Sequence, residues 1–354
     1  MRKMGVYLTP IIVKTVLSLE DLRGQRLAVD ANNYLYQFLA LLRASDGTPL
    51  HDQQGRITSH LAGLLFRTTR LIHDYALHLV FVFDGAPPSL KQAEIRKRRA
   101  QRQQAEQAWQ SARARGDYAS AFSKAVMTSR LTAPMIADAQ QLLQLLGIPW
   151  IQAPSEAEAQ CAFLARNKDV WAASSKDYDT LLFGAPRLLR FLTLTGQEYL
   201  PSQRRSRPLH PELIDLAECL EAWQLTRRQL IDVALLIGTD FNPGIKGIGP
   251  KRALKAIRQY GTIEQLPADV KTQLDPQRID AIRQFFLHPP VTSNYALEYQ
   301  GLHEDALRHF LVNARAFSEQ RVSTAITRMK KVYTRRTQRK LQEWWPQTDP
   351  QPHE

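Results

Sequence analysis

RLAVDANNYLYQFLALLRA, residues 26–44, changes character at Asp30. Arg26 to Asp30 is a short β-rich run, and NYLYQFLALLRA after it has helical spacing. A strand that gives way to a helix with an acid at the joint is the repeating unit of a parallel sheet covered by helices. The pattern recurs along the first half of the chain. LVFVFD, Leu79 to Asp84, reads as a second buried strand, preceded by a helix whose stripe is Ile57, Leu61, Leu64, Leu65, Leu71 and Ile72. PMIADAQQLLQLLG, Pro134 to Gly147, has proline early and glycine at its end, which marks a helix. IPWIQ and DVWAASS read as a third and a fourth strand. The expected class is α/β, with a mostly parallel central sheet flanked by helices.

Other stretches have a different texture. Lys91 to Arg130 holds ten Lys or Arg against three Asp or Glu and few large apolar residues. That composition predicts a helical insertion outside the core, or else a solvated helical face. PSQRRSRPLHP, Pro201 to Pro211, reads as a polar connector, followed by helices in ELIDLAECLEAW and RRQLIDVALLIG. Further helices are expected over Asp280–Leu287, Asp305–Asn313 and Ser318–Val332. Arg328 to Lys340 contains seven basic residues and no acid, and LQEWW ends the patterned sequence. There is no internal repeat.

A chain of 354 residues with 44% hydrophobic residues can bury a full core. Its net charge of +13 and pI near 9.8 attract polyanions, of which nucleic acid is the commonest. Cys161 and Cys219 are too few for a disulfide framework and offer no zinc spacing, so they read as core residues of a protein kept in a reducing compartment. In MRKMGVYLTPIIVKTVLSL, Pro10 and Lys14 break the apolar run and no small-residue cleavage site follows, which argues against secretion. No stretch approaches the ~20 apolar residues of a membrane span.

Acids collect at the ends of the strands. Asp30 closes RLAVD, Asp84 closes LVFVFD, Asp177 and Asp179 follow DVWAASS within SKDYDT, and Asp240 ends VALLIGTD. In PSEAEAQC, Ser155 and Glu158 match an S-x-x-E capping box, which by itself would explain Glu156 and Glu158 near a helix start. A single Asp after a strand is likewise most often a cap. Repetition carries more weight, because the carboxyl ends of parallel strands share one edge. Seven carboxylates gathered there need raised pKa values or bound cations. An all-oxygen set without His or Cys favours Mg²⁺ or Mn²⁺ over zinc. Two such ions about 4 Å apart activate water, hold a phosphate and stabilise a leaving oxygen, which in a basic protein points to phosphodiester hydrolysis.

GIKGIGPKRALKAI, Gly244 to Ile257, feeds a glycine-rich turn into a helix. Gly244, Gly247 and Gly249 let the backbone approach a ligand, and Lys251 and Arg252 follow Pro250 in the first turn. Its amides suit a DNA phosphate and its carbonyls a monovalent cation, with a plain interhelical turn as the alternative. It is not a Walker loop, because the G-x-x-x-x-G-K-[ST] spacing fails.

VDANNYLYQFL, FVFDGAPP, APSEAEAQC, SSKDYDTLLFG and LLIGTDFNPGIKGIGPKRAL, in that order, make the chain closely resemble the flap endonucleases, structure-specific 5′-nucleases of XPG type, in their archaeal and eukaryotic replication form. The similarity runs from about Met4 to Trp345. It implies a PIN-like nuclease domain over residues 4–335: an N-region 4–110, a helical gateway and cap at about 89–132, and an internal region 130–265 with a helix-two-turn-helix at about 226–260. A flexible tail, 336–354, would follow.

By that resemblance Asp30, Asp84, Glu156 and Glu158 hold one Mg²⁺, while Asp177, Asp179 and Asp240, with Glu158, hold a second; Mn²⁺ substitutes. Lys91 and Arg98 match the basic pair that draws the scissile phosphate onto the metals. Tyr36 matches the aromatic on which a base stacks, and Arg67, Gly247, Gly249, Lys251 and Arg252 are further expected DNA contacts, with K⁺ at the glycine turn. Gln338, Leu341, Trp344 and Trp345 have the spacing of a box that binds the sliding clamp, PCNA. The implied activity is 5′-flap endonuclease with 5′-3′ exonuclease, in Okazaki fragment maturation and repair. The implied form is a monomer, cytoplasmic with the nucleoid in a prokaryote and nuclear in a eukaryote. The alternatives are a related 5′-nuclease acting on gaps, bubbles or RNA, and a non-catalytic clamp-tethered junction binder. Three positions depart from the family pattern: Met1–Lys3 precedes the usual Met-Gly start at Met4 and Gly5, Lys176 stands where a neutral or acidic residue is usual, and Ala86 replaces a lysine.

Overall fold

In the computed structural model, which describes residues 5–44, 47–125, 128–192, 197–200 and 205–344, the joint at Asp30 lies where the sequence places it. An edge strand, β1 (Thr15–Val16), precedes β2 (Arg26–Asp30), and α1 (Ala31–Leu41) starts on the next residue. The change is abrupt because the Asp30 carboxylate accepts the Asn33 amide at 2.9 Å and caps the helix. Then come α2 (Ser59–Tyr75), β3 (His78–Phe83), α3 (Gln92–Ala114), α4 (Tyr118–Ala125), α5 (Ala133–Leu145), β4 (Trp150–Gln152) and α6 (Ala157–Arg166). The next elements are β5 (Ala172–Ser174), α7 (Asp179–Leu182), β6 (Arg187–Arg190), β7 (Gln197–Leu200), β8 (Arg205–Pro208) and β9 (Glu212–Asp215). The rest is helical: α8 (Leu216–Trp223), α9 (Arg227–Ile237), α10 (Pro250–Tyr260), α11 (Ala268–Lys271), α12 (Pro276–Leu287), α13 (Glu304–Arg308) and α14 (Glu319–Trp344).

The main sheet has the order β1-β9-β6-β5-β2-β3-β4. Its five strands from β6 to β4 are parallel, and β9 and β1 add antiparallel at one edge. Alternate residues of the central strands serve opposite faces. Ala28, Val80, Val82 and Ala173 pack with α6, α8, α9 and α12 on one side. Leu27, Val29, Leu79, Phe81 and Ala172 pack with α1, α2, α5 and α14 on the other. Both faces are covered, which explains why β2 and β3 read as continuous apolar runs. Among the described residues no helix is long and apolar enough to cross a membrane.

Three expectations need correction. ELID is not the first turn of a helix: Glu212–Asp215 is β9, paired with β6 and β1. Its Ile214 is fully buried, and the Asp215 carboxylate accepts the amides of Ala217 and Glu218, so α8 starts after it. Part of PSQRRSRPLHP is strand rather than connector, since Arg205–Pro208 pairs with Gln197–Leu200. Helix α14 continues through Trp344, past the expected tail boundary at residue 336. The basic stretch after Lys91 does form two helices, α3 and α4, packed on each other.

Candidate active site

Strand order reverses beside β2, whose neighbours β3 and β5 lead to opposite halves of the sheet. Such a reversal opens a crevice at the carboxyl ends of the strands. Asp30 is the last residue of β2, Asp84 follows β3, Glu156 and Glu158 head α6 after β4, and Asp177 and Asp179 lie at the β5–α7 junction. Asp240 comes from the α9–α10 loop, on the helical half of the chain.

Hydrogen bonds tie these acids together. The Ser175 hydroxyl lies 3.3 Å from both Asp30 Oδ2 and Glu158 Oε1. Asn33 Nδ2 donates to Asp177 Oδ2 at 3.0 Å. The amides of Gly5 and Val6 donate to Asp240 Oδ1 and Asp179 Oδ1 at 3.1 and 2.7 Å, so the start of the chain is strapped beneath the acids. Gly5 has φ +68°, and a Cβ there would lie 3.0 Å from Asp179 Oδ1; the close approach and the backbone conformation both require glycine. The expected capping box is absent. The N-cap of α6 is Glu156, without a side-chain cap, while Ser155 donates to the Ala86 carbonyl. The first amide of that helix, Ala157 N–H, goes instead to Asp84 Oδ1 at 2.8 Å. A carboxylate from a neighbouring strand therefore does the capping and leaves Glu156 and Glu158 free for other partners.

Two cations enter from the base of α3. Lys91 Nζ lies 2.6 Å from Glu156 Oε2 and 3.4 Å from Asp240 Oδ2, and Arg98 Nη2 donates to Asp240 Oδ2 at 2.6 Å. Seven residues is two helical turns, so both side chains share one face. The remaining acids outnumber them. Burial first, then Asp84 and Asp177, raise the Asp30 carboxyl well above its usual range. Burial and then Asp179, Asp177 and Asp30 do the same to Glu158. Asp179 is pushed up to about 8 by burial and the Asp240 charge. Asp177 reaches about 6 by burial and Asp240, and Asp84, which keeps an edge open to solvent, about 6 by its packed surroundings and Glu156. Asp240 goes the other way: burial would raise it, but Lys91 and Arg98 hold it below the ordinary value. The pocket thus holds more carboxyl groups than the chain's own cations keep ionised. Among the described residues no three acidic, histidine or cysteine groups stand so that they could hold an ion between them, and Lys91 and Arg98 are paired with Glu156 and Asp240. The donor set itself, oxygen throughout and crowded with charge, suits a hard divalent cation.

Sequence reading missed the groups behind these acids. Arg190, 7% exposed, donates to the Lys176 carbonyl at 3.0 Å, to Tyr178 Oη at 2.5 Å and to Glu212 Oε2 at 3.0 Å. Its guanidinium stacks 4.0 Å from the Tyr178 ring centre, and Tyr178 Oη contacts Thr9 Oγ1. The loop bearing Asp177 and Asp179 is thereby pinned from both sides. Of Arg190, Ser175 and Asn33, only the last two adjoin a recognisable motif.

The remaining expected residues lie on α1, α2, α10 and its preceding turn, and α14. Tyr36 is half-buried on α1, and Arg67 on α2 turns its guanidinium over the Phe38 ring at 5.2 Å. Lys251 and Arg252 are exposed at the head of α10, with Arg252 donating to the Gly247 carbonyl at 3.0 Å. A Cβ at Gly247 or Gly249 would meet nothing within 4 Å. Gln338 is exposed on α14, whereas Trp345 and the side chains of Leu341 and Trp344 lie outside the described residues.

Comparison with known proteins agrees with this arrangement. The XPG N-terminal domain model matches residues 4–105 and the XPG I-region model residues 147–240. Flap endonuclease 1 of Pyrococcus horikoshii is 44% identical over 348 residues, covering 98% of this chain and 100% of its own. Flap endonuclease 1 of Pyrococcus furiosus is 45% identical, covering 97% and 99%. The solved flap endonuclease-1 from Methanococcus jannaschii superposes with a TM-score of 0.72 at 36% identity, covering 94% of this chain and 100% of that one. The two matched regions contain all seven acids and both cations, and the similarity extends along almost the whole chain. This chain therefore belongs to the flap endonuclease family of structure-specific nucleases.

Proposed function

We propose that this flap endonuclease hydrolyses the phosphodiester at the base of a 5′ flap with the help of two divalent ions, Mg²⁺ or in its place Mn²⁺, and that it also removes nucleotides from a 5′ end. The observation that carries this reading is the gathering of carboxylates at one crevice, four of them pushed upward by burial and by one another. Asp30, Asp84, Glu156 and Glu158 would hold one ion, and Asp177, Asp179 and Asp240, with Glu158, the other. Bound there, the ions supply a hydroxide nucleophile at neutral pH and a counter-charge for the leaving oxygen.

The protein's own groups supply the rest. Lys91 and Arg98 stand at the pocket, where an arriving phosphate competes with Glu156 and Asp240 for them and where they offset charge in the transition state. Tyr36 offers a ring to the base next to the cut, with Arg67 behind it. The amides around Gly247 and Gly249, with Lys251 and Arg252, grip the downstream duplex, and the turn carbonyls hold K⁺. The helices α3 and α4 form the gateway through which a free 5′ end passes, within a single nuclease domain. The tail around Gln338, Leu341, Trp344 and Trp345 docks on the sliding clamp. The protein works as a monomer on replicating and repaired DNA in the cytoplasm.

The test is cleavage of labelled 5′-flap, gapped, bubble and RNA substrates with and without Mg²⁺. Flap cleavage that depends on the ion and exceeds the other substrates supports the reading; equal cleavage in a chelator overturns the metal assignment.

A further inference from the structure

Asn33 is an amide among acids, 7% exposed, at the head of α1. Its backbone N–H donates to Asp30 Oδ1 at 2.9 Å, and its Nδ2 donates to Asp177 Oδ2 at 3.0 Å. It thereby touches carboxylates from both halves of the sheet. An amide side chain has a donor end and an acceptor end, and only the donor end suits a carboxylate. One turn further along, Gln37 Nε2 donates to Asn33 Oδ1 at 2.9 Å. That bond occupies the acceptor end and leaves Nδ2 facing Asp177.

The surroundings of Asp177 show why its direction must be enforced. Lys176, Arg98 and Arg190 attract its charge, while Asp240 repels it. Asp30 and Glu158 carry like charge toward Asp177, so an oxygen facing them is opposed. The Asn33 bond holds Oδ2 of Asp177 beside the head of α1.

We propose that Asn33, oriented by Gln37, is a positioning residue that aims Asp177 into the ion-binding pocket. The inference rests on the two-ion reading above. Partners that orient metal ligands are worth roughly 10- to 100-fold in metal affinity. Among the described residues the hydrogen bond of Gln37 toward the pocket goes to Asn33, so its influence is expected through that relay.

The experiment is calorimetric titration of the full chain with MgCl₂ and with MnCl₂, without DNA, alongside melting in a chelator. Asn33→Leu should weaken ion uptake roughly 10-fold or more, with little change in the chelator melting temperature. Gln37→Leu should weaken it less, and the double variant should match Asn33→Leu alone. Gln37→Glu can only accept, so it turns the Asn33 amide over and presents Oδ1 to Asp177. Uptake should then fall below that of Gln37→Leu, although the added negative charge by itself would strengthen it. If Asn33→Leu does not fold, the two Gln37 variants decide the matter on the same readout. Wild-type protein that takes up no divalent ion overturns the two-ion reading and this inference together. Wild-type uptake with no loss in either Gln37 variant, or with Gln37→Glu tighter than wild type, overturns this inference alone.

Discussion

Lys91 Nζ lies 2.6 Å from Glu156 Oε2, so the cation proposed to receive the scissile phosphate is already held by one of the acids of the pocket. Its charge is strongly secured there, because Glu156 and Asp240 outweigh the cost of its burial. Lys91→Met should lower single-turnover flap cleavage roughly 10²- to 10³-fold, the usual loss on removing a group that stabilises transition-state charge. Flap binding without divalent ions, followed by fluorescence anisotropy, should fall much less. A variant equally impaired in both would place Lys91 in general DNA binding.

Gly249 has φ −95° and ψ −178°, a conformation open to any residue, and no described residue fills the space its Cβ would take. The fold itself therefore does not require glycine there. Gly249→Ala should change stability by less than about 1 kcal/mol, because the entropy gained through the unfolded chain is offset by alanine's poor standing at the N-cap of α10. Binding to a duplex should nonetheless weaken, because the added methyl stands between the turn amides and a phosphate. Unaltered duplex affinity in a gel-shift titration would remove the turn from the interface.

His60 is fully buried on α2, and among the described residues neither ring nitrogen has a hydrogen-bond partner. Burial is the main cause that pushes its pKa down to about 4, with nearby Asp138 opposing and Arg315 reinforcing the shift. The unfolded chain takes up a proton near pH 6.5 and the folded chain does not, so stability falls as pH drops from about 6.5 to about 4. The whole effect is about 3 kcal/mol. It should appear as a widening stability gap between wild type and His60→Leu, in which the active-site carboxylates cancel. Parallel curves for the two proteins over that range would mean His60 is hydrated or paired in solution.

Arg283 and Asp232 form an ion pair at 2.6 Å whose side chains are only 4% and 0% exposed, joining α12 to α9. Glu264 takes the other arm of the guanidinium. Arg283→Met should cost about 3–5 kcal/mol, because it strands the Asp232 charge in the core. Replacing both partners with apolar residues should restore much of that loss in urea denaturation. A double variant as unstable as the single one would contradict the account.

The parts of this molecule that could be read from sequence are those fixed by neighbouring residues. The β2–α1 joint is one, since Asp30 caps the helix that follows it three residues on. The strands β2 and β3 are others, because burial on both faces leaves an unbroken apolar run. ELID misled because its four residues suit a helix locally and are made a strand by β6 and β1. Ser155 and Glu158 have capping-box spacing, yet Asp84, on another strand, takes the amide. Asn33 and Ser175 escaped notice because their partners Asp177 and Asp30 lie 144 and 145 residues away. The gathering of Asp30, Asp84, Asp177 and Asp179 was legible because they follow parallel strands whose ends the topology brings together, whereas Asp240 arrives from the loop after helix α9.

Asp240 and the Gly247–Gly249 turn belong to the same segment between α9 and α10. Arg278 fixes that segment by donating twice to the Phe241 carbonyl, at 3.1 and 2.7 Å, and the Asn242 side chain donates to the Leu235 carbonyl at 2.7 Å. On the proposed function, grip and blade would share one short, braced piece of backbone. Its length would then act as a ruler between duplex and incision, and an added residue there should shift the cut position on a labelled flap.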